Sequence, residues 1–282
     1  MQQSHLENNT SRRKYEHLEI CTKKNVEYGD TWIKHVRFIH NACPEISLEE
    51  IDLSVNFLGR KLRYPIIIEA ITGGHPSSEN INRVLARCAE KYGIGMGVGS
   101  QRAGIERVDL EYTYRVVREE APTAFIIANI GATHIRGEKA LEIAKKAINM
   151  IDADALSIHL NALQEVLQWE GQRDFRGVYR GIKTISNELD KPIIIKETGC
   201  GISRDEAIKF VDAGAKAIDI GGYGGTNWAI IEGERNIRAG KHDLWEISKT
   251  FYNWGIPTAA SIIDCLLYTS DAADDGESVD LG

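Results

Sequence analysis

From Tyr64 onward the chain alternates short runs rich in β-branched residues with stretches of helical periodicity, and this alternation limits the fold more than any other feature. Strands are predicted over residues 65–70, 94–98, 125–129, 155–160, 192–197 and 217–220, with helices near 78–91, 107–119, 137–150, 176–189 and 203–213. Repeated βα units imply a parallel sheet. Crossovers of this length, with no dinucleotide-type glycine fingerprint after the first strand, favour a TIM-type (β/α)8 barrel over an open doubly wound sheet. Six of the eight units are present in the sequence. Chemistry in such a barrel collects at the C-terminal ends of the strands.

Those ends are polar or glycine-rich in every unit: Ala70-Ile71-Thr72-Gly-Gly74, Gly99-Ser100-Gln101-Arg102, Asn129-Ile-Gly131, the run 155–165, Lys196-Glu-Thr-Gly199 and Gly221-Gly-Tyr-Gly-Gly-Thr226. Each alone has a plain explanation, since glycines make turns and lysines snorkel. Their recurrence at equivalent positions points to one site. The run 155–165 is the clearest of them. As a strand it places Ala155, Ser157, His159 and Asn161 on one face and Leu156, Ile158 and Leu160 on the other, with Gln164 and Glu165 where the strand runs out into a loop. A half-buried strand with a satisfied histidine would look the same, and the neighbouring strand ends are what favour a site.

Lys196 faces away from Ile193 and Ile195, and a lysine in a barrel mouth must find an anion or lose its proton. A reduced flavin with charge near N1 and O2 would serve, and so would the internal carboxylate Asp219. Glycines at 93, 95, 97 and 99 leave one face of the second strand bare, which suits a planar ring. Arg13, Lys14 and His17 lie within one helical turn, as a solvated face or as an anion clamp. The net charge of −7 argues against general nucleic-acid binding. Five scattered cysteines without a CxxC pair fit a reducing, cytoplasmic setting, and no membrane-length apolar run is present.

Taken together, Arg13-Lys14-x-x-His17, Thr72-Gly-Gly, Gly99-Ser-Gln-Arg102, His159-x-Asn-x-x-Gln-Glu165, Lys196-Glu197 and Gly-Gly-Thr226-Asn-Trp228 resemble type 2 isopentenyl-diphosphate isomerase, in order, from about Arg12 to Asp264. The resemblance implies an FMN-dependent barrel that interconverts isopentenyl and dimethylallyl diphosphate, with magnesium and with NADPH as reductant. It implies that Arg13, Lys14, Ser100, Gln101, Arg102 and Gln164 bind substrate, that Glu165 ligates Mg2+ on the diphosphate, and that His159, Asn161 and Gln164 order the catalytic pocket. Ala70, Ile71, Thr72, Ser100, Asn129, Lys196, Gly221 and Thr226 would contact FMN. It further implies a homo-oligomer, tetramer or octamer, in which the N-terminal basic arm completes a neighbour's site.

Two departures stand out. Gly221 stands where the family pattern has serine, and the likeness stops at Cys265. Residues 1–11 are expected to be a disordered arm, 12–264 a partial FMN-binding barrel with a packing preamble, and 265–282 a non-native or disordered acidic tail. An incomplete barrel is expected to hold FMN poorly. Three rivals remain. A 2-hydroxyacid oxidase should carry a histidine in the loop 221–226, which has none; a barrel dehydrogenase could use only Cys200 as nucleophile; and the chain could be an inactive fragment.

Overall fold

The computed structural model describes residues 2–70 and 72–273, with side chains for 11–70 and 72–266. In chain order the elements are α1 (Gln2–Lys23), the hairpin β1 (Val55–Phe57) and β2 (Arg60–Leu62), β3 (Ile67–Ile68), α2 (Pro76–Tyr92), β4 (Gly95–Gly97), α3 (Arg102–Glu106) and α4 (Tyr112–Glu120). There follow β5 (Phe125–Gly131), α5 (Ala140–Ile151), β6 (Ala155–Leu160), α6 (Ala162–Leu167), α7 (Val178–Glu188), β7 (Ile193–Glu197), α8 (Arg204–Asp212) and β8 (Ala217–Asp219). Helices α9 (Trp228–Arg238), α10 (His242–Thr250) and α11 (Thr258–Ala273) close the described chain.

Strands β3 to β8 form one six-stranded sheet in sequential order, each pair parallel, curled into a partial barrel with helices outside. The expected architecture is therefore present. Register fixes the two faces: Ile127 pairs with Ala155, Asn129 with Ser157, Gly131 with His159, His159 with Lys196, and Lys196 with Asp219. Because side chains alternate, these residues share the inner face. The outer face, with Leu156, Ile158, Ile193 and Ile195, packs against α2, α4, α5, α7 and α8 in the main apolar core. A smaller core fills the lower lumen, where Phe125, Ile127, Ala155 and Ile194 meet Leu62 and Phe57 from the hairpin. The hairpin closes the bottom of the barrel, so the open mouth lies at the strands' C-terminal ends.

The backbone of α1 begins at Gln2, within the span expected as a disordered arm. Three local expectations change. Ser47-Leu-Glu-Glu50 makes one 3-10 turn with a capping box and no longer helix. The helix near 107–119 divides into α3, a 3-10 turn and α4. Gly93 belongs to no strand: it caps α2 with φ 64°, a left-handed turn that glycine adopts without strain. Helix α11 runs through Cys265 to Ala273, and the rest of the expected tail lies outside the described residues.

Candidate functional site

The mouth is built from many elements. Helix α1 lies across it and supplies Arg13, Lys14 and His17 to one cavity. The segment after β3 contributes Ala70, the turn after β4 contributes Ser100, and α3 begins there with Arg102. Asn129 comes from β5, His159 and Asn161 from β6 and its end, Lys196 from β7. Gln164 and Glu165 stand on the first turn of α6, which starts directly at Asn161, so a helix replaces the expected loop. This cavity holds about 90 Å³, and it meets a lumen cavity of about 240 Å³ at Ala70 and Lys196, which line both.

Other predicted residues are not brought there. Gln101 turns into the core: its Oε1 accepts from Asn129 N at 2.9 Å, its Nε2 donates to Ala147 O at 2.8 Å, and its own N donates to Asn129 O at 2.9 Å. With amide and main chain committed, Gln101 holds strand ends together and has no donor left for substrate. Thr72 is buried, and its carbonyl accepts from Gly99 N at 2.9 Å. Thr226 pairs with Glu27 and ties the segment after α1 to the loop after β8. Gly221 has φ 43°, and a Cβ there would strike the Glu197 carbonyl, so a serine would require that loop to shift. Thr72, Gly221 and Thr226 line neither cavity. Ile71 lies outside the described residues. On β4 and just after it, Cβ atoms on Gly95, Gly97 and Gly99 would meet Ile67, Ala70 and Thr72, so these glycines allow close strand packing, and Gly97 and Gly99 also line the lumen and mouth cavities.

The cations are arranged for an anion. Arg13 and Lys14 form no ion pair among the described residues, while Arg102 Nε pairs with Glu106 at 2.7 Å. Withdrawal from water, then Arg13 and Arg102, push Lys14 down to about 7. The basic helix face therefore lines a cavity of its own chain and is not a solvated surface.

What holds α1 there was missed in the sequence. Glu232 of α9 is fully buried, and its Oε1 accepts from His17 Nε2 at 2.9 Å and Gln164 Nε2 at 3.0 Å. Its Oε2 accepts from Arg235 Nη1 at 2.6 Å, and Arg235 also reaches Glu16 and Glu170 while stacking on Trp169. Burial would raise the Glu232 carboxyl, but His17, Arg235 and Gln164 outweigh it and hold the group at about 2. The signal was a Glu–Arg pair three apart on the apolar side of a helix, where unpaired charge is rare.

His159 is neutral. Burial, then Lys14 and His134, push it down to about 3, and its Nδ1 meets Asn129 Oδ1 at 2.8 Å. Lys196 finds internal carboxylates, Glu69 at 3.3 Å and Asp219 at 3.5 Å. Glu165 is the one acid among the residues that line this cavity, and among the described residues no group of three His, Cys, Asp or Glu side chains could hold a metal ion. A magnesium at Glu165 would take its other oxygens from phosphate and water, as that ion prefers. Two residues that line these cavities, His134 and Ser157, each keep a buried polar atom, Nδ1 and Oγ, without a hydrogen-bond partner. Cys200 is no nucleophile: burial and Glu197 push its thiol up to about 12.

Against known proteins, no family model matches. An isopentenyl-diphosphate delta-isomerase of Methanosarcina barkeri is 49% identical over 257 residues, covering 90% of this chain and 70% of that one. One of Methanothermobacter thermautotrophicus is 49% identical over 255 residues with the same coverage. The chain belongs to the isopentenyl-diphosphate delta-isomerases. Among solved structures, a mandelate oxidase with (S)-4-hydroxymandelic acid matches at TM-score 0.48 and 14% identity, over 84% of this chain and 76% of that one. A roomier cavity of about 670 Å³ beside the one under α1, walled by Phe175, Tyr179, Phe210 and Trp254, carries Glu197 and Glu206 and no basic side chain, so it does not suit a diphosphate. No helix among the described residues is long and apolar enough to cross a membrane.

Proposed function

We propose that this chain moves the double bond of isopentenyl diphosphate to give dimethylallyl diphosphate, with reduced FMN and Mg2+ at the mouth of the barrel and NADPH as the source of reducing equivalents. The observation that carries the reading is the convergence of Arg13, Lys14 and Arg102 on a cavity that also holds Glu165 and Lys196. Arg13, Lys14 and Arg102 hold the diphosphate oxygens, and α1 shields them from water. Glu165 presents a carboxylate to the magnesium that those oxygens share.

The isomerisation removes a proton at one carbon and returns one two carbons away. His159, at about 3, is a neutral ring near neutral pH with its one N–H given to Asn129, and Glu232, at about 2, is ionised and fully engaged. Reduced FMN, when bound, would supply the acid–base chemistry at its ring. Lys196 offers its ammonium to the anionic edge of that ring. Asn161 fixes Gln164, whose Oε1 accepts from Asn161 Nδ2 at 3.0 Å, and the pair orders the wall beside the substrate. Ser100 and Asn129 complete the polar lining. A cytoplasmic location and a homo-oligomeric assembly belong to the same proposal.

Incubation of the chain with isopentenyl diphosphate, FMN, NADPH and magnesium tests it. Double-bond migration without stoichiometric NADPH loss is expected. Sustained NADPH oxidation, or no conversion by folded protein saturated with FMN, would overturn it.

A further inference from the structure

Lys196 is already fully engaged. Its Nζ donates to Glu197 O at 2.9 Å and lies 3.3 Å from Glu69 Oε1 and 3.5 Å from Asp219 Oδ2. A lysine ammonium has three N–H donors, and here three acceptors face it. The acceptors are not equivalent. Glu197 O is strand backbone. Asp219 sits in register with Lys196 on β8, and its Oδ1 accepts from Gly221 N at 3.3 Å. Glu69 follows the two-residue β3 on the opposite margin of the sheet, its side chain is 53% exposed against 34% for Asp219, and its Oε1 accepts from Ala70 N at 2.6 Å. Burial, and after it Glu69, push Asp219 up to about 6 against the pull of Lys196. Two carboxylates therefore face one ammonium, and Glu69 is the more exposed of them.

We propose that Glu69 is an internal competitor for the anionic ligand of Lys196: it neutralises the ammonium in the ligand-free chain and must give way when an anion binds, so residue 69 sets ligand affinity. The inference rests on the FMN reading above and adds a residue that the sequence did not single out. Glu69 is a positioning residue, since it acts through Lys196. Its removal has two effects of opposite sign. The ligand-free chain loses a partner for a buried ammonium, while the bound anion loses a neighbouring negative charge.

The test compares wild type with Glu69→Gln and Glu69→Asp. Ligand-free melting is followed by circular dichroism, oxidised FMN affinity by fluorescence quenching, and the midpoint potential of bound FMN by dye equilibration. Glu69→Gln is expected to melt lower without ligand and to favour reduced over oxidised FMN about fivefold more than wild type, seen as a raised potential, because a half-exposed charge acts through partly screened space. Glu69→Asp should stay near wild type in both. An unchanged or lowered potential in Glu69→Gln, with FMN bound, would overturn the competitor role alone. If neither protein binds FMN at any concentration while both remain folded, the cofactor reading fails and the competitor role fails with it.

Discussion

His159 and Asn129 stand on neighbouring inner strands with Nδ1 and Oδ1 2.8 Å apart, and the direction of the bond is set by Val98, whose carbonyl accepts from Asn129 Nδ2 at 3.0 Å. With its Nδ2 spent on Val98, Asn129 can only accept from His159. The imidazole therefore carries its proton on Nδ1 and turns a lone pair on Nε2 toward the site.

This pairing makes acid stability a direct readout. The folded value of about 3 lies below the ordinary 6.5, so the unfolded chain binds the extra proton first. Stability from the neutral ring is complete above about 6.5 and is lost as pH falls toward about 3. His159→Gln should flatten that part of the urea midpoint against pH curve. An imidazole proton resonance that titrates between pH 5 and 8 in the folded chain would contradict it.

Lys14 gives the opposite test, in which removing a residue strengthens the empty protein. Its folded value of about 7 lies below the ordinary 10.5, so stability is complete above 10.5 and is eroded as pH falls through about 7, where the ammonium must charge beside Arg13 and Arg102. Lys14→Met should melt higher than wild type at pH 7 without ligand. Inorganic pyrophosphate should raise the melting temperature of wild type and leave the variant nearly unmoved. Equal stabilisation of both proteins by pyrophosphate would remove Lys14 from the clamp.

Glu232 is the converse case, a buried charge whose partners depend on it. Replacing it by alanine leaves Gln164 and His17 without an acceptor and reduces Arg235 to Glu16 and Glu170. Loss of one member of a buried ionic network costs about 3 to 5 kcal/mol. Glu232→Ala should lose that much in urea unfolding, and limited proteolysis should then cut within α1, which has lost its anchor. A loss below about 1 kcal/mol would mean that α1 is held by its apolar contacts around Ile20.

The sequence made some of this legible and hid the rest for physical reasons. Strand β6 was bounded at 155–160, as observed, because one face meets helices and the other the lumen, which leaves a strict alternation. The first strand shrank from 65–70 to Ile67–Ile68 because a margin strand has one neighbour to pair with. Ser100, Gln101 and Arg102 are adjacent and all polar, yet the turn into α3 sends Ser100 and Arg102 to the cavity and Gln101 into the core. Composition cannot distinguish them, since a fully satisfied buried amide and a ligand-binding one use the same atoms. The anchor of α1 was hidden for a related reason: Glu232 lies 215 residues from His17, and only the fold brings them together.

The margins of the sheet supply the last prediction. Among the described residues, strands β3 and β8 each pair on one side only, so their outer backbone groups are offered to any other strand. Beside them, Ile66 and Ile67 are exposed at 54% and 37%, which adds apolar surface to an unpaired margin. The lumen cavity opens along the same line, between Ile67 and Glu69 on one side and Ala217 and Asp219 on the other. A flat ring held there would have β4 to β8 and Ala70 beside it, with no strand bridging the two margins among the described residues. The chain should therefore bind FMN reversibly and lose it on a desalting column, and it should self-associate as concentration rises. Ile66→Lys should reduce the association seen by light scattering without weakening FMN binding, because its charge opposes pairing at the margin and lies outside both cavities. Stoichiometric FMN retained through the column by a monodisperse wild-type chain would refute this account of the margins.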